Sequence, residues 1–183
     1  ANVCMSLINK GDEVLIPTPY WVSYSAMVEL AEGVPVFINP DKDSNYKITA
    51  QQLDSAITDK TKMLMLNSPN NPSGSVFTEQ EYLEFSKVLL KYPNIIIISD
   101  EIYEHINYGV KSVSFASLPG MYDRTVTVNG ISKAYAMTGW RIGYLGAPKV
   151  IAKACNKMQG QITSGANCIA QRATIKALEE SPE

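Results

Sequence analysis

Short apolar runs alternate with longer amphipathic stretches along almost the whole chain. EVLIP at 13–17, VPVFI at 34–38, TKMLMLN at 61–67 and NIIIIS at 94–99 each have the length and β-branched content of a buried strand. TVTVN at 125–129 and IGYLG at 142–146 extend the series. The four isoleucines Ile95 to Ile98 call for burial on both faces, as in a parallel sheet. Between these runs the spacing is helical. The opening 1–9 reads as the last turns of a helix ended by Lys10-Gly11, and 21–32 as a helix stopped by Gly33. Thr49 with Gln52, and Thr78 with Glu81, are capping boxes that open helices reaching about Ile57 and Tyr92. From Val150 onward the pattern predicts two helices, separated near 163–165.

Strands that alternate with helices predict an α/β fold, a three-layer sandwich around a mostly parallel sheet. No repeat, low-complexity tract or linker divides residues 1–183, so one domain is expected. Hydrophobic residues make up 45% and charged residues 19%, which is ordinary for a soluble globular protein. A net charge of −2 without any basic run gives no field for nucleic acid or anionic lipid. No apolar run approaches the roughly 20 residues of a membrane span. Cys4, Cys155 and Cys168 lie in apolar, helix-like surroundings without CxxC spacing, which predicts reduced core cysteines in a cytoplasmic protein. His105 has no partner at metal-ligand spacing and reads as a surface or satisfied histidine.

The residues that packing alone does not require gather in four loops: PTPYW at 17–21, NSPNNPSG at 67–74, SDEIY at 99–103 and NGISK at 129–133. All four follow predicted parallel strands, at the edge where open α/β sheets build their sites. Each has a plain structural reading. Trp21 could be core, Asn71 a turn residue, Asp100 a cap, and Lys133 one more solvated lysine. Together they point elsewhere. Asp100 emerges from four isoleucines and a serine, so its carboxylate needs a cationic or donor partner. Lys133 is followed by Ala134-Tyr135-Ala136-Met137, where an ammonium is expected to be desolvated and its free amine available to attack a carbonyl. A buried carboxylate and such a lysine suit an aldehyde cofactor with a protonated ring nitrogen.

With these residues in place, the chain resembles the class I/II, fold-type I aminotransferases that use pyridoxal 5′-phosphate, and within them the bacterial aspartate aminotransferase subgroup. PYWVSY, NSPNNPSG, SDEIYEHI and SKAYAMTGWRIGY carry the resemblance in order over essentially all 183 residues. It implies that Lys133 holds the cofactor and moves the substrate proton, and that Asp100 pairs with the ring nitrogen. Tyr103 and Asn71 would bond the ring oxygen, Trp21 would stack on the ring, and Arg141 would grip the phosphate. Ser132 is a further cofactor-binding candidate, and Trp21 and Asn71 also reach toward substrate. Many relatives have serine where this chain has Gly130, which removes one phosphate contact.

The resemblance also implies that an N-terminal phosphate-binding turn and a C-terminal small domain lie outside these residues. The chain then reads as the central part of the large domain, inactive by itself. Amino acid and 2-oxo acid are the implied substrates, aspartate with 2-oxoglutarate first, and a homodimer is implied. QITSGAN at 161–167 resembles a segment reaching toward the partner's phosphate, with Ser164 as its contact or, equally, as a helix cap. Other fold-type I reactions, lyase or decarboxylase, share the lysine and aspartate. A non-enzymatic domain of the same fold is a further alternative, against which the six filled positions speak. A P-loop ATPase would explain IIIISDE, with Asp100 on magnesium and Glu101 activating water, but no GxxxxGK[ST] accompanies it and Asn71, Lys133 and Arg141 are left unused.

Overall fold

A computed structural model describes residues 1–106 and 108–180. Six strands form one sheet: β1 (Glu13–Pro17), β2 (Val34–Ile38), β3 (Thr61–Asn67), β4 (Ile96–Asp100), β5 (Thr125–Gly130) and β6 (Gly143–Gly146). Their order is β2-β1-β3-β4-β5-β6, parallel except for β6, which runs antiparallel to β5. The helices are α1 (Asn2–Leu7), α2 (Ser23–Leu30), α3 (Ala50–Ala56), α4 (Glu79–Leu89), α5 (Lys149–Ile162) and α6 (Cys168–Glu179).

Alternation along the strands divides the core in two. Leu15, Leu64, Leu66 and Ile97 face α3 and α4, meeting Leu53, Tyr82, Phe85 and Leu89. Val14, Ile16, Met63, Met65, Ile98 and Val126 face the other way, onto Val3 and Cys4 of α1, Val28 of α2, and Ile151 and Cys155 of α5. Three layers result, as the pattern predicts. Each fully buried leucine or isoleucine here contributes about 1.5–3 kcal/mol of transfer free energy.

Both capping boxes form: Thr49 accepts from Gln52 N and Thr78 from Glu81 N, each returned by the partner side chain. Other boundaries shift. The chain leaves α2 through Glu32 in the left-handed region (φ 62°), while Gly33 is needed for space, since a Cβ there would meet Ile8 Cγ2 at 2.7 Å. Ile95 stays in a turn before β4. Its carbonyl and those of Leu89 and Tyr92 accept from the buried Arg124 guanidinium, which ties the end of α4 to the start of β4. Cys4 and Cys155 are buried as expected, but Cys168 is exposed. It begins α6 directly after the Asn167 cap. Among the described residues no helix is long and apolar enough to cross a membrane.

Candidate active site

The sheet register sets the floor of the site. Asn67 at the end of β3 pairs with Asp100 at the end of β4, which pairs in turn with Val128 of β5. Counting by twos from Ile98 and Met65, both on the α2 side of the sheet, brings Asp100 and Asn67 to that same side. A cavity of about 370 Å³ opens there, within the usual range for small-molecule sites. It is lined by Asn67, Asp100 and Val128 below, and by Trp21, Asn71, Tyr103, Ser132, Lys133 and Arg141 from the loops. All seven residues singled out in the sequence therefore share one cavity.

Asp100 meets the donor requirement of a dry carboxylate. Tyr24 Oη donates to its Oδ2 at 2.7 Å and Ile102 N to its Oδ1 at 3.2 Å. Burial still raises its pKa above the ordinary aspartate value, with the Tyr24 bond opposing the rise. Burial also pushes the Tyr24 phenol far up, with the negative charge of Asp100 adding to it, so at neutral pH this hydroxyl is a donor.

Asn67 ties two loops together. Its Nδ2 donates to Asp100 O at 3.0 Å, and its Oδ1 accepts from Asn71 N at 2.7 Å. Asn71 Nδ2 in turn reaches Tyr103 Oη at 3.5 Å, so both polar heads meet at one point of the wall, where a ligand oxygen could take both. Lys133 Nζ sits 5.7 Å from the centre of the Tyr103 ring, within cation–π range. Arg141 is held in the left-handed region (φ 56°) with its Nη1 donating to Thr138 O at 2.9 Å. A non-glycine residue in that conformation costs of order 1–3 kcal/mol, and such strain clusters at functional sites.

Several expectations need correction. Lys133 is exposed rather than desolvated, because the chain after it turns along the cavity rim instead of closing over it. Of the two readings of Trp21, core is the one set aside: it is 41% exposed on the cavity wall. Ser164 is not the N-cap of α6, which is Asn167, accepting from Ile169 N and Ala170 N; it follows the α5 C-cap Thr163 with a positive φ of 63°. His105, a surface residue as expected, lies 3.4 Å from a Glu104 carboxylate oxygen. Gly130 has a steric cause, since a Cβ there would meet Ile142 O at 2.9 Å across the β5–β6 pair. Glu101 counters the ATPase reading. It faces the opposite side of the sheet from Asp100, is 5% exposed, and its Oε1 accepts from Ser99 Oγ, Ser114 Oγ and Phe115 N. A carboxylate buried in that way cannot activate water at the cavity.

Tyr24 and Asn67 were not singled out in the sequence. Asn67 had a signal in its parity with Met65, while Tyr24 lies three residues after Trp21 in PYWVSY, one helical turn on. Ile102, two residues beyond β4, and Val128 of β5 give the cavity its apolar side.

The family model for aminotransferase class I and II matches residues 1–183. The aspartate aminotransferase of Rhizobium meliloti is 49% identical over 179 residues, which are 97% of this chain and 44% of that protein. The bifunctional aspartate aminotransferase and glutamate/aspartate-prephenate aminotransferase of Petunia hybrida is 49% identical over 175 residues, 95% of this chain and 36% of the relative. The crystal structure of the Rhizobium meliloti aspartate aminotransferase superposes with a TM-score of 0.95 at 46% identity, covering 99% of this chain and 46% of that one. The Thermus thermophilus aspartate aminotransferase with maleate gives 0.92 at 39% identity, covering 97% and 46%. The chain thus spans less than half the length of each of these relatives.

Proposed function

The chain belongs to the class I and II aminotransferase family, and on that premise we propose that residues 1–183 form the central part of the cofactor-binding domain of a transaminase. The enzyme exchanges an amino group between an amino acid and a 2-oxo acid with pyridoxal 5′-phosphate as cofactor. The names of the relatives favour aspartate as amino donor, and 2-oxoglutarate is the acceptor that the family resemblance implies. A cytoplasmic homodimer is the assembly that goes with this reading.

One observation carries it: a lysine, a half-buried carboxylate, a paired asparagine and tyrosine, an indole and an arginine line a single cavity. The donor set fits the cofactor. A carboxylate on the dry floor suits a cationic ring nitrogen, the Asn71–Tyr103 pair suits a ring oxygen, and a planar guanidinium suits a phosphate. When bound, pyridoxal 5′-phosphate supplies an aldehyde that condenses with amines and a ring that accepts the electron pair left at the substrate Cα.

The chain supplies the rest. Lys133 Nζ would hold the aldehyde and, once displaced by the substrate's amino group, would be the base that takes the Cα proton and the acid that gives it back. Asp100 keeps a proton on the ring nitrogen. Asn71 and Tyr103 orient the ring through its oxygen. Trp21 covers one face with a broad apolar surface and excludes water there. Arg141, with Ser132 beside Lys133, anchors the phosphate end, so the reacting carbon is fixed relative to Lys133.

The test is the half-reaction of the intact, cofactor-loaded enzyme with aspartate, followed by stopped-flow absorbance. Wild type converts to the pyridoxamine form. Lys133→Ala is expected to lose about 10²–10⁴-fold or more in rate, and Asp100→Ala to bind cofactor yet lose most of its rate. A wild type that reacts with no amino donor, or variants as fast as wild type, would contradict the proposal.

A further inference from the structure

Tyr24 lies at the end of the cavity where the carboxylate and the indole meet. Its hydroxyl is 2.7 Å from Asp100 Oδ2. Its ring stands edge-on to Trp21, 5.6 Å between centroids at 86°, and its backbone N–H donates to Trp21 O at 2.9 Å. At 8% exposure, the ring is wedged into the core between α2 and the sheet. We propose that Tyr24 is a positioning residue that fixes Asp100 and Trp21 together, so one side chain sets both the carboxylate at the cofactor's ring nitrogen and the indole on its face. The proposal rests on the functional reading above.

The physical argument starts from the carboxylate. Among the described residues each Asp100 oxygen has one protein donor: Ile102 N on Oδ1 and Tyr24 Oη on Oδ2. The backbone donor is fixed by the turn, so Tyr24 Oη is the side-chain donor the sequence can change. Without it Oδ2 keeps its burial and loses its partner, and the carboxyl takes up a proton more readily. A protonated Asp100 no longer favours a positive ring nitrogen. The Tyr24 bond makes Asp100 a weaker base, which leaves the shared proton on the cofactor. The other charged or titratable groups facing this space are Tyr103 after β4, Lys133 after β5 and Arg141 before β6. None of these makes a hydrogen bond to an Asp100 carboxylate oxygen among those described.

Tyr24→Phe keeps the buried ring and deletes only the hydroxyl, and 3,5-difluorotyrosine at position 24 strengthens the donor. The readout is the ¹³C titration of the Asp100 carboxyl in the intact enzyme stripped of cofactor. Tyr24→Phe is expected to raise the Asp100 midpoint by about one to two pH units, the scale of one hydrogen bond to a charged group. The fluorinated residue lowers it. Trp21→Phe leaves it in place. In the loaded enzyme, a ¹⁵N-labelled cofactor is expected to show less of the shared proton on its ring nitrogen at neutral pH in Tyr24→Phe than in wild type. A purely structural tyrosine would shift neither midpoint, and an unchanged Asp100 titration in both Tyr24 variants overturns the proposal. The carboxyl midpoint is read without cofactor, so it can fail while the Asp100→Ala half-reaction still upholds the functional reading.

Discussion

Two adjacent carboxylates, Asp100 and Glu101, do opposite work because a strand turns successive side chains to opposite faces. Asp100 faces the cavity; Glu101 enters the core below and gathers three donors on one oxygen. Parity in IIIISDE makes this split legible without coordinates. The partner of Asp100 was only half legible: a donor was required by the dry surroundings, but nothing local to 95–101 could say that it comes from residue 24. Burial holds the Glu101 carboxyl above its ordinary pKa despite its hydrogen bonds. The folded state therefore binds the proton more tightly than the unfolded chain, so stability falls as pH rises from about 4.3, the ordinary value for glutamate, through the raised folded one. Glu101→Gln keeps an acceptor oxygen and removes the buried charge. It is expected to equal or trail wild type near pH 4, to exceed it at pH 7, and to flatten the stability profile between. Glu101→Ala, which strands three donors, is expected to cost about 1–3 kcal/mol. Urea denaturation across pH measures both. Parallel pH profiles for wild type and Glu101→Gln would show that the charge is not buried at cost.

Elements were read best where their ends carry a chemical signature. Thr49 with Gln52 and Thr78 with Glu81 mark the starts of α3 and α4, because a side-chain oxygen and a free N–H at fixed spacing need no tertiary help. Element ends set by distant groups were read less well. The start of β4 is displaced by the Arg124 clamp from 29 residues downstream, and the end of α2 is decided by Glu32 and by the contact of Gly33 with Ile8. The antiparallel direction of β6 goes with a return from β5 that carries only a short 3-10 turn, Thr138–Trp140, and no crossover helix. Glu81 also pairs with Lys47 at 2.5 Å, so the α4 cap fastens the loop before α3. Thr78→Ala is expected to destabilise the protein by about 1 kcal/mol, with the midpoint of chemical denaturation falling and its slope unchanged. A midpoint equal to wild type would mean that the Lys47 pair alone holds this end.

At the scale of the molecule, strand direction was the most informative single inference. Parallel strands place the loops at 17–21, 67–74, 99–103 and 129–133 on one edge, and one cavity gathers a residue from each. Composition of the segment after Lys133 was a poor guide to its solvation, because Ala136 and Arg141 adopt left-handed conformations that carry this stretch along the rim. Helices α5 and α6 leave Ile162, Ile169, Ile175 and Leu178 exposed, which the helical pattern alone did not foretell. The account stands or falls on Lys133. Reduction of the intact, pyridoxal-phosphate-loaded enzyme with borohydride, then peptide mapping by mass spectrometry, shows which amine carried the aldehyde. The pyridoxyl mass is expected on the peptide containing Lys133, and Lys133→Ala is expected to abolish the label there. Label on any other lysine, with Lys133 unmodified, would contradict the assignment of the site.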